Sequence, residues 1–140
     1  MSRIFWDTNI FIYLFENYGE LSEQAAELRR KMLARGDRLL TSALTLGEIL
    51  VKPTEHHDRE LCRKYEDAIL AAAVVLPFDT KAARNYATLR CDRSLRAPDA
   101  LQLACASAAG ADLFVTNDAR LQGKRVEGIQ FIVSLERVPM

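Results

Sequence analysis

The chain has 140 residues, 49% of them hydrophobic and 27% charged, as expected of one soluble globular domain spanning 1–140. Its 19 basic and 19 acidic side chains cancel, which excludes nucleic-acid binding by global charge but not by a local basic face. Asp7 falls where a signal peptide would be apolar, and the longest uncharged runs, Ala68–Phe78 and Ala100–Ala111, are too short to span a bilayer.

In chain order, Ile4–Trp6 predicts a short strand and Ile10–Phe15 the start of a helix packed behind it. Ser22 is read as the N-cap of a helix over Glu23–Arg35 that Gly36 ends. Arg38–Thr41 predicts a second strand. Ser42 then caps a helix over Ala43–Val51, with Pro53 as its stop. Asp58 opens a helical stretch to about Ala72, Val74–Leu76 is a third strand, and Asp79 caps a helix toward Cys91. Pro98 suits the first turn of a helix over Asp99–Ala109, closed by Gly110. Leu113–Thr116 and Gln130–Val133 complete a set of five strands. Short apolar strands alternating with helices imply βαβ units, hence a three-layer α/β/α sandwich around a mostly parallel sheet. The cysteines Cys62, Cys91 and Cys105 are odd in number and form no C-x-x-C pair. This favours reduced thiols and a cytoplasmic setting.

That architecture explains why Asp7 and Asn9 interrupt the apolar run "RIFWDTNIFIYLF". In a parallel sheet, strand C-termini and helix N-termini share one edge, where ligands bind. Asp7 follows the first strand, Glu48 lies within two turns of the start of its helix, Asp99 opens a helix, and Asp118 follows the fourth strand. Asp79 reaches the same edge, but an N-cap role accounts for it. Each of the other four also has a local reading, as cap, exposed helix acid or dipole partner. Taken together they are harder to dismiss. Two carboxylates about 4 Å apart repel by about 4 kcal/mol at an effective dielectric near 20, so such a pocket needs raised pKa values or a cation. Carboxylates without a His or Cys cluster suit a hard ion, Mg²⁺ or Mn²⁺, with Asn9 and Thr116 as supporting groups.

Three stretches, "DTNIFIYL" (Asp7–Leu14), "TSALTLGEIL" (Thr41–Leu50) and "PDALQLACASAAGADLFVTND" (Pro98–Asp118), resemble the motifs of PIN-domain proteins, close to the VapC-type ribonuclease toxins of toxin–antitoxin pairs. The resemblance covers nearly the whole chain. It implies an endoribonuclease that uses Mg²⁺ or Mn²⁺ to activate water for phosphodiester cleavage. By position it assigns Asp7, Glu48, Asp99 and Asp118 to the acidic site, with Asn9 and Thr116 in support. It further implies an RNA substrate, a homodimer and a small VapB-like antitoxin that blocks the site.

Arg93 and Arg96 closely precede Asp99 and are candidate contacts to RNA phosphates; a solvated loop is the competing reading. Leu28, Met32, Leu46, Ile49, Leu50 and Leu61 are candidates for core or for a groove that takes an antitoxin helix. Two other functions compete. A haloacid-dehalogenase-type Mg²⁺-dependent phosphatase also starts from an Asp at the first strand end. Here, however, Asn9 stands where that enzyme's acid would protonate the leaving group. A non-catalytic interaction domain of the same fold is the other, and the presence of all four acids argues against it.

Overall fold

The computed structural model describes residues 1–139. Its elements are β1 (Arg3–Trp6), α1 (Thr8–Phe15), α2 (Glu20–Arg35), β2 (Arg38–Ser42), α3 (Ala43–Glu55), α4 (Arg59–Ala72), β3 (Val74–Leu76), α5 (Thr80–Leu89), α6 (Ala97–Ala108), β4 (Leu113–Val115) and β5 (Phe131–Val133). The strands form one sheet in the order β3-β2-β1-β4-β5, and every pairing is parallel. The α/β/α sandwich expected from the strand–helix alternation is therefore the architecture observed.

β1 lies at the centre of the sheet, which explains its uninterrupted Ile-Phe-Trp: a strand covered on both faces has no side for a polar residue. Alternation along the strand splits the core in two. Ile4 and Trp6 join Ile10, Phe11, Leu28, Met32, Ile49 and Ile69 in the layer made by α1–α4. Phe5 joins Leu40, Leu103, Ala106 and Phe114 in the layer made by α5 and α6. Phe5 and Phe114 stack across the β1–β4 pair with centroids 5.0 Å apart and planes 8° apart. Leu28, Met32 and Ile49 are buried in this core, so they cannot line an open groove; Leu46, Leu50 and Leu61 are half-buried.

Caps explain most helix boundaries. Asp58 and Asp79 accept hydrogen bonds from the amides of Leu61 (3.0 Å) and Ala82 (2.9 Å), and Gly36 closes α2 in the left-handed region at φ +72°. Several element ends shift by one or two residues, and three differences from the sequence reading have an identifiable cause. α1 starts at Thr8, directly after Asp7, whose own carboxylate caps it. α2 starts at Glu20 after Gly19, so Ser22 is not its cap. The Ser22 hydroxyl instead donates to Glu16 O and accepts from Tyr18 N, both at 2.8 Å, and so fastens the incoming loop. Pro53 does not stop α3, which continues to Glu55. This close to the helix end a proline forfeits a single intrahelical bond, its ring is buried, and its carbonyl accepts from Asp58 N at 2.9 Å. Among the described residues, no helix is long and apolar enough to cross a membrane.

Candidate active site

Because all strands run the same way, the residues that follow β1, β2 and β4 share one edge of the sheet. Asp7 lies at its centre. The Asp7 amide continues the β1–β4 ladder by donating to Val115 O at 2.9 Å, and its side chain then turns back over the start of α1. Oδ1 accepts from Thr8 N at 2.9 Å and Oδ2 from the buried Thr116 hydroxyl at 2.7 Å. Burial raises the carboxyl above the ordinary carboxylate range. The negative charges of Asp99 and Glu48 push the same way, against the hydrogen bonds from Thr116 and Thr8.

Glu48 lies on the exposed side of α3 and is linked toward Asp7 through the Thr8 hydroxyl and the Gln102 amide. Glu48 Oε1 accepts from Thr8 Oγ1 at 2.6 Å, and Thr8 Oγ1 lies 3.2 Å from Thr45 Oγ1. Gln102 of α6, buried one turn after Asp99, ties these groups together. Its amide nitrogen donates to Thr45 Oγ1 at 2.7 Å and lies 3.2 Å from Thr8 Oγ1 and 3.4 Å from Asp7 Oδ1. Its carbonyl oxygen accepts from the Ser42 hydroxyl. A satisfied buried network of this kind holds its members in one geometry.

The other two acids face each other across Arg120. The guanidinium grips Asp118 in bidentate fashion, Nε to Oδ1 at 3.0 Å and Nη2 to Oδ2 at 2.6 Å, and Nη2 lies 3.6 Å from Asp99 Oδ2. Hydrogen bonding from Arg120 holds the Asp118 carboxyl below its usual range. Asp99 is shifted upward, first by burial and then by the charge of Asp118, with Arg120 and Arg96 opposing. Asp118 caps no helix: residues 119–123 form turns, and Asp118 Oδ1 accepts from Arg120 N at 3.0 Å.

The other expected residues distribute as follows. Thr116 touches Asp7 directly and accepts from Asp118 N at 3.1 Å, linking the two acids. Asn9 Oδ1 accepts from Asn117 N at 3.4 Å, so it braces the end of β4 and not a carboxylate. Arg96 is the exposed N-cap of α6, and its charge acts on both Asp99 and Asp118. Arg93 is exposed, and among the described residues it forms no ion pair. Sequence reasoning missed Gln102, Thr8, Thr45 and Arg120. A polar Gln within the apolar face "ALQLACA", one turn after an acid, was the available signal for the first.

Among the described residues, no three acidic, His or Cys side chains converge closely enough to ligate one ion. The carboxylates form two pairs with different compensation. Asp99 and Asp118 share Arg120, whereas among the described residues no basic side chain lies within ion-pair distance of Asp7 or Glu48. All-oxygen donors around a half-buried carboxylate with no counter-charge among the described residues suit a hard divalent cation.

Fold and site together define an α/β protein with a group of acidic side chains at the carboxyl edge of a parallel sheet. The model of the PIN domain matches residues 4–126, and the chain belongs to that family. No protein with a curated description matches the sequence. The fold is similar to that of a chain from VapBC2 of Rickettsia felis bound to a promoter DNA fragment, with 19% identity, TM-score 0.76, and coverage of 94% of this chain and 98% of that one. It is also similar to one from DNA-bound VapBC of Salmonella typhimurium, with 22% identity, TM-score 0.76, and coverage of 96% and 99%. A chain of VapBC-5 from Mycobacterium tuberculosis is similar at 20% identity and TM-score 0.61, with coverage of 94% and 98%.

Proposed function

We propose that this protein is a divalent-metal-dependent endoribonuclease and the VapC-like toxin of a toxin–antitoxin pair, with Mg²⁺ or Mn²⁺ and its coordinated waters held among Asp7, Glu48, Asp99 and Asp118. The observation that carries the reading is Asp7: a half-buried carboxylate with no basic side chain within ion-pair distance among the described residues, facing the charges of Asp99 and Glu48. Bound among these oxygens, the ion would supply water activation and charge neutralisation at a phosphodiester.

The chain's own residues prepare that chemistry. Thr116 and Thr8 N orient the Asp7 carboxylate and favour its ionised form, the form that binds a cation. Gln102 fixes the Thr8 and Thr45 hydroxyls, and Thr8 holds Glu48 toward the site. Exposed Arg96, at the start of the helix that carries Asp99, supplies a positive charge where an RNA phosphate would approach, with Arg93 further out. The solved VapBC complexes of similar fold support an antitoxin partner, and the family resemblance supports a homodimer in the cytoplasm.

The test is incubation of purified protein with structured RNA and Mg²⁺ or Mn²⁺. Cleavage is expected to stop with EDTA and with Asp99→Asn. Cleavage that survives both would overturn the mechanism.

A further inference from the structure

We propose that Arg120 is a counter-ion of the acidic site: its guanidinium pairs with Asp99 and Asp118, the oxygens a divalent ion would use, and competes with that ion for them. This rests on the reading of the two aspartates as cation ligands.

The argument is one of shared acceptors. Arg120 engages both oxygens of Asp118, at 3.0 and 2.6 Å, and the nearer oxygen of Asp99 at 3.6 Å. A guanidinium has only donors and no lone pair to offer a metal, so the two cations compete for the same oxygens and cannot assist each other. The competition is also local. Arg120 lies two residues after Asp118 in a turn closed by Leu121 N to Asp118 O at 3.0 Å, and about half its side chain is exposed. It can therefore swing into water without disturbing the core. Among the described residues Asp7 and Glu48 have no such occupant, so the acids are neutralised on one side only.

A bidentate, charge-assisted pair at a half-exposed site is a modest competitor. Arg120→Gln is accordingly expected to lower the Kd for Mn²⁺ by about three- to tenfold. The full chain, stripped with chelator, is titrated with Mn²⁺ and free metal is followed by its electron paramagnetic resonance signal, a readout independent of catalysis. Arg120→Lys keeps the charge and loses the planar fork, so its affinity falls between wild type and Arg120→Gln. Arg96→Gln removes an equal charge that faces the same acids without such a pair, and its affinity moves by less than about twofold.

Equal or weaker binding by Arg120→Gln, or an equal gain from Arg96→Gln, overturns the role of Arg120 while leaving the metal site standing. No Mn²⁺ binding by either wild type or Arg120→Gln overturns both.

Discussion

Replacing Thr116 by Val removes one hydroxyl and keeps the shape. The side chain is fully buried, and its hydroxyl donates to Asp7 Oδ2 at 2.7 Å. This is the strongest interaction opposing the burial that disfavours the Asp7 charge. A hydrogen bond to a charged group contributes about 1.5–3 kcal/mol, and one between neutral groups about 0.5–1.5 kcal/mol. In EDTA at pH 7, Thr116→Val should therefore lose about 1.5–3 kcal/mol, or about 5–10 °C in Tm for a chain of this size. At the acid end of the folded range, where Asp7 is protonated, the loss should fall to about 0.5–1.5 kcal/mol. Denaturant unfolding of wild type and variant at the two pH values measures both numbers. A loss below about 0.5 kcal/mol at pH 7, or the same loss at both pH values, would refute the assignment of Thr116 as the donor that lets Asp7 stay ionised.

Asp7→Asn should abolish Mn²⁺ binding yet stabilise the metal-free protein by about 1 kcal/mol at pH 7, read as a rise of about 3 °C in Tm. The sign follows from the raised carboxyl: the wild-type contribution is complete below the ordinary value of 3.8 and is lost as pH rises through the higher folded value, so the variant's advantage appears only above 3.8. Gln102→Leu takes one partner each from the fully buried hydroxyls of Ser42 and Thr45, leaving them Thr45 N and Thr8 Oγ1, and should cost about 1–3 kcal/mol by urea unfolding. Gly128→Ala places a Cβ 2.7 Å from Ser107 O at a φ of +93°, and should cost about 2–3 kcal/mol by the same measurement.

What could be read from the sequence followed the range of each interaction. Five strands, their crossover helices and the caps at Asp58 and Asp79 were legible because the signals lie within a few residues of the structure they dictate. The common edge of the four acids followed from parallel topology alone. Ser22 misled because Ser before an acidic helix start is a good local cap, whereas here a loop hydrogen bond to Glu16 O takes the hydroxyl. Pro53 misled because the local penalty says nothing about a buried ring near a helix end. Gln102 bonds across 57 residues to Thr45, and no local pattern records that pairing. Arg120 lies two residues from Asp118, yet an arginine in a turn carries no mark of which way it will fold back.

The central place of β1 has a consequence for synthesis. The first strand emerges from the ribosome long before its neighbour β4, and Asp7 must wait for Thr116, 109 residues later, to receive its hydroxyl. At about 5–20 residues per second that interval is about 5–20 s, during which the nascent chain holds an unfinished sheet and an unassembled site. Until most of the message has been read, the chain therefore lacks the donor that favours the ionised form of Asp7.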